Sequence, residues 1–131
     1  MLAPRIPLSC SAQEKEVLRD YSQITTVLVD DCKGTRARWV LTGRHAQQEV
    51  LAVASFQELQ PHLLHLPLDI PIHVDFKLAP HDLQGAAITK KLIDLHFSQV
   101  HLTTGMPAEE IQSQVPWLTP DRIHDKEPTW S

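Results

Sequence analysis

Four short runs of apolar and β-branched residues recur along the chain, and the segments between them place apolar residues at helical spacing. The first run is Ile24-Thr25-Thr26-Val27-Leu28-Val29, and EVLAVAS at 49–55 is the second. Ile70-Pro71-Ile72-His73-Val74 leads into a third strand at 72–76, and residues 99–103 make the fourth. Such runs are too short for helices and too uniformly apolar for strands with one wet face. They read as strands buried on both faces, as in a parallel sheet. Between them, 35–45 is helical in pattern, with Trp39 and Val40 as core contacts. Residues 56–66 put Phe56, Leu59, Leu63 and Leu66 on one side. After Gly85, AAITKKLIDLHF is amphipathic, with Ile88, Leu92, Leu95 and Phe97 apolar. Pro107 suits the first turn of a further helix, which Pro116 stops. Residues 122–124 form a weaker fifth strand. This alternation, from residue 24 to about 115, predicts βαβ units and a doubly wound, mostly parallel sheet with helices on both faces.

Ahead of the first strand, residues 1–11 read as a leader. Ser11 and Glu14 have the capping-box spacing for a helix over 12–21, with Val17, Leu18 and Tyr21 on one face. The expected division is therefore 1–23, a leader with an extra helix, and 24–131, one α/β domain. A length of 131 residues suits a single core. A net charge of -4 with no basic stripe argues against a nucleic-acid surface. No apolar stretch approaches membrane-spanning length, and MLAPRIPLSC is too short and proline-broken for a signal-peptide core. Cys10 and Cys32 suggest neither a disulfide framework nor metal-ligand spacing. A reduced, cytoplasmic protein is the expectation.

Asp30 and Asp31 close the first run, and Asp75 ends the third strand. At the carboxyl ends of neighbouring strands, side chains converge on one crevice where ligands bind. Three carboxylates there repel one another unless a cation joins them, so the pattern predicts an acidic pocket holding a divalent metal. Singly, each aspartate is equally readable as a strand end or a helix cap. Other residues take plainer readings. Arg36 is a solvent-facing helix residue, Cys32 is a small buried or half-buried residue, and His62 and His65 lie on a surface. His73 and His101 pack within strands, while Trp117 and Trp130 hold the tail against the body.

VLVDDCKGTR, IPIHVDF, VHLTTG and DKEP, in that order, resemble the signatures of receiver domains of two-component response regulators. The resemblance spans roughly residues 24–128. It implies a five-stranded, flavodoxin-like sheet in the order 2-1-3-4-5, with Asp75 as phosphoacceptor. It further implies Mg²⁺ held by Asp30, Asp31, Asp75 and the backbone carbonyl of Lys77. Thr104 matches the hydroxyl residue after the fourth strand, and Lys126 matches the lysine after the fifth. The donor is then a histidine kinase or phosphotransfer protein, and the output is protein–protein contact, with no nucleic acid, membrane or separate enzymatic activity. The chemistry is coherent: Mg²⁺ takes oxygen ligands from one or two carboxylates and a phosphate. A lysine ammonium offsets charge on the equatorial oxygens during transfer.

The chain departs from the pattern in places. The loop between Asp75 and Gly85 is about two residues longer than usual, and Lys77 places a cation near the pocket. Ile123 stands where an aromatic switch residue is common, and no room for the usual final helix follows Lys126. The expectation is that residues 12–21 fill part of the sheet face left open. Two other classes stay in view: a pseudo-receiver that acts as an interaction module without phosphorylation, and a metal-dependent phosphatase. Lys77 disfavours the phosphatase, because it stands where such enzymes carry a second carboxylate.

Overall fold

The computed structural model describes residues 21–80, 82–128 and 130. The expected helix over 12–21, with its Ser11 cap, lies outside these residues except for Tyr21. That residue begins a short 3-10 turn, Tyr21–Gln23, and packs against the main core.

Five parallel strands form one sheet: β1 Thr26–Val29, β2 Val50–Val53, β3 Ile72–Asp75, β4 Val100–Thr103 and β5 Ile123–His124. Their order is β2-β1-β3-β4-β5, the flavodoxin-like order, and every adjacent pair is parallel. The helices are α1 Lys33–His45, α2 Phe56–Leu59, α3 Gly85–Asp94 and α4 Ala108–Ile111. Among the described residues no helix follows β5, and none is long and apolar enough to cross a membrane.

All four β1 residues are buried because both sheet faces are covered. Val27 and Val29 join Leu51, Val53, Ile72 and Val74 in a core that includes Leu59, Ile88 and Leu92 from the helices. Leu28 and Val50 point the other way and pack with Trp39 of α1. A third cluster, Leu102, Ile111, Val115, Leu118 and Ile123, seats β4 and β5 on the segment after α4. Alternating residues thus feed opposite layers, the period-2 logic of a strand.

Two helices end earlier than the apolar spacing suggests. Pro61 has no N–H to donate, so α2 gives way to a 3-10 stretch, Gln60–His65, with Leu66 still buried. Helix α3 stops at Asp94, and His96 adopts a left-handed φ of 76°. The turn carries Phe97 back into the core and leaves Leu95 exposed. Leu95 is therefore no core contact.

Candidate functional site

The chain reverses its direction of sheet growth between β1 and β3, so the ends of these neighbouring strands open one crevice. Asp30 follows β1 directly and Asp75 is the last residue of β3. Ligand oxygens of Asp30, Asp31 and Asp75 lie within 4.8 Å of one another. Asp30 and Asp75 are buried, at 1% and 2% exposure, while Asp31 is exposed at the rim.

The loop after β1 is shaped by Asp30 itself. Its Oδ1 accepts from the Cys32 N–H at 2.9 Å, and its carbonyl accepts from Arg36 Nη1 at 2.8 Å. Arg36 thus ties the start of α1 to the acidic loop rather than lying free in solvent. Cys32 is exposed, not half-buried, and occupies the N-cap of α1. Asp30 Oδ2 is buried without a hydrogen-bond partner.

Lys126 reaches the pocket from the loop after β5, with Nζ 3.0 Å from Asp75 Oδ1. The ion pair joins a buried carboxylate to a half-exposed ammonium. Trp39 holds the backbone of Lys126, donating Nε1–H to its carbonyl at 3.2 Å. Burial and the Asp30 charge push Asp75 up to about 6, against the lowering effect of Lys126. Burial raises Asp30 as well, opposed first by the Cys32 N–H and then by Lys126. Burial alone pulls Lys126 down, but Asp75 and Asp30 outweigh it and leave the ammonium more basic than usual.

These shifts and the buried, unpartnered Oδ2 of Asp30 fit a divalent cation. Hard oxygen ligands on two strand ends are what Mg²⁺ takes, and a cation offsets the burial and the smaller carboxylate repulsion that raise both pKa values.

Thr104 is buried one residue beyond Thr103, the register partner of Asp75. Its N–H donates to the His124 carbonyl at 2.9 Å, and its hydroxyl accepts from the Met106 N–H at 3.1 Å. Lys77 is exposed. Asp30, Asp31, Asp75 and Lys126 are therefore brought together, with Thr104 beside them in the sheet.

Two supporting residues escape a reading by sequence pattern. Gln84 closes the long loop: Oε1 accepts from the Leu78 N–H at 3.0 Å, and Nε2 donates to the carbonyls of Leu78, Ala79 and Asp82. Gly85 lets α3 start against the Asp75 backbone, since a Cβ there would stand 2.1 Å from the Asp75 carbonyl oxygen. Neither glutamine nor glycine carries a spacing signal that would have marked it.

The histidines are also more organised than expected. His62 is buried with Nδ1 2.7 Å from the Tyr21 hydroxyl, and His65 stacks on that ring. His73 is buried between Trp39 and His101. The tail tryptophans do pack: Trp117 donates to Thr89 Oγ1 and Trp130 to Thr42 Oγ1.

No protein-family model, no curated protein and no solved structure matches this chain.

Proposed function

We propose that the chain is a receiver-like phosphoacceptor domain that takes a phosphoryl group on Asp75 from a histidine kinase or phosphotransfer protein. The observation that carries this reading is the Lys126 ammonium, 3.0 Å from Asp75 in a pocket where three aspartates converge within 4.8 Å. An Asp75 oxygen attacks phosphorus, the bond to the donor's histidine nitrogen breaks, and the imidazole leaves. Asp30, Asp31 and Asp75 would hold Mg²⁺, with the Lys77 carbonyl as a further ligand by resemblance. The ion supplies positive charge that offsets repulsion between carboxylate and phosphate. Lys126 supplies the protein's own cation to the oxygens on which charge spreads. Among the described residues the Thr104 hydroxyl accepts from the Met106 N–H and has no acceptor of its own, so its hydrogen would serve a phosphoryl oxygen. Such a bond would draw on the loop that opens α4, changing a surface for protein contact. Turnover by the domain itself would be limited to gain and loss of this group, in a cytoplasmic phosphorelay.

The test is incubation with acetyl phosphate and Mg²⁺, followed by intact-mass measurement. A hydroxylamine-labile phosphoryl adduct is expected, absent without Mg²⁺ and absent in Asp75→Asn. No adduct under conditions that label an ordinary receiver would sink this reading and leave the interaction module.

A further inference from the structure

On the sheet face shared by Leu28, three histidines stand on successive strands: His73 on β3, His101 on β4 and His124 on β5. His73 and His101 stack with centroids 4.7 Å apart, while His101 Nδ1 lies 2.9 Å from His124 Nε2. Arg122 Nη1 is 3.3 Å from the other nitrogen of His101, Nε2.

These contacts fix the tautomers. Arginine only donates, so His101 Nε2 accepts and the proton of neutral His101 is on Nδ1. His124 Nε2 is then the acceptor, and its proton sits on Nδ1. A further proton on either ring leaves at least one facing nitrogen pair with two donors, so Arg122 or β5 must give way.

We propose that the His101–His124 pair is an acid-sensitive latch, which when neutral fastens β5 to β4 and holds Lys126 at Asp75, and when protonated lets β5 go. β5 has only two residues, and a short edge strand is a region of low local stability. Beyond the imidazole pair it is held by its two-residue parallel pairing with β4, by buried Ile123 and by the Thr104 N–H to His124 carbonyl bond. Lys126 follows two residues later, so release at His124 frees one end of the segment whose other end Trp39 holds.

The groups facing the latch come from several elements. His73 on β3 stacks on His101; His124 and then Arg122, ahead of β5, oppose protonation of His101, and Asp121 favours it. Asp125 and Asp121 favour protonation of His124, and Arg122 opposes it. Burial prevails at both rings: it pulls His101 down to about 4 and lowers His124. The folded values lie below the unfolded one near 6.5. The latch is therefore fully closed above about pH 6.5 and opens as pH falls toward about 4. It acts on Lys126 whether or not Asp75 accepts a phosphoryl group.

Amide hydrogen exchange of the full chain by NMR, corrected for intrinsic rates, tests this. Thr104 protection is expected to fall about tenfold or more between pH 7 and pH 4.5, while Val27 in β1 keeps its protection. Equal loss at Val27 means global unfolding and overturns the latch. His101→Phe, which keeps a ring against His73 but cannot titrate, is expected to abolish the fall; the same fall in this variant overturns the proposal. Should His101→Phe not fold, His124→Gln still accepts from His101 and is expected to move the transition down by about one pH unit. An unmoved transition there also overturns it. In Asp75→Asn, which cannot be phosphorylated, the fall is expected to persist. Its loss would assign the response to Asp75 instead.

Discussion

Replacing Asp75 by asparagine removes the candidate nucleophile and is expected to make the protein more stable. Asp75 is 2% exposed and pushed up to about 6, against 3.8 for a free aspartate, by burial and then by Asp30. Between those two values the native state holds a proton that the unfolded chain has lost. Stability therefore falls as pH rises through that window and levels off above about pH 6. The shift corresponds to about 3 kcal/mol at neutral pH, an upper bound. Asparagine keeps the shape without the charge, while the weakened contact with Lys126 returns about 1 kcal/mol. The net gain is about 1–2 kcal/mol at pH 7.5, a rise in Tm of about 3–5 °C per kcal/mol for a chain of this size. At pH 4.5 wild-type Asp75 is already protonated in the fold, and the advantage shrinks to about 1 kcal/mol or less. Urea denaturation of both proteins in EDTA, at the two pH values, measures this. An Asp75→Asn variant no more stable at pH 7.5, or equally favoured at both pH values, would refute the electrostatic account of the pocket.

Magnesium should raise the wild-type Tm at pH 7.5 by relieving the same repulsion, and Asp30→Asn should lose most of that rise in a thermal melt with and without the ion. Gly85→Ala, which forces a Cβ to 2.1 Å from the Asp75 carbonyl oxygen, should cost about 1–3 kcal/mol or more. Gly105→Ala meets nothing within 4 Å and is the near-neutral control in the same denaturation series. Trp39→Phe removes the donor to the Lys126 carbonyl and should cost about 1 kcal/mol, with a slower approach to any Asp75 adduct as the ammonium is held less firmly. Lys126→Met should raise the Asp75 pKa further, since Lys126 lowers it; carboxyl-detected NMR titration reads the shift.

The strands were legible because burial on both faces writes near-continuous apolar runs, and the aspartates because strand ends at a switch point converge by topology alone. Helix ends were less legible. The apolar spacing of 56–66 continues past Pro61, where the missing N–H turns α-helix into 3-10, and Leu95 keeps its period one residue past the helix end at Asp94, just before the turn at His96. The environment of Lys126 was hidden for another reason. Its place depends on Trp39, 87 residues earlier, donating to its carbonyl, a contact that no local pattern encodes. The histidine row is similar: His73, His101 and His124 are far apart in sequence and meet only through the parallel register of β3, β4 and β5. Gln84 and Gly85 position the pocket through backbone contacts, which leave no periodic trace.

The central claim is that Asp75 accepts the phosphoryl group, and chemical trapping of the acyl phosphate reads it at residue level. After acetyl phosphate and Mg²⁺, borohydride reduction followed by peptide mass spectrometry should convert residue 75 alone to homoserine, and only when Mg²⁺ was present. Conversion at Asp30, Asp31 or elsewhere, or none at residue 75 with Mg²⁺ supplied, would contradict the account.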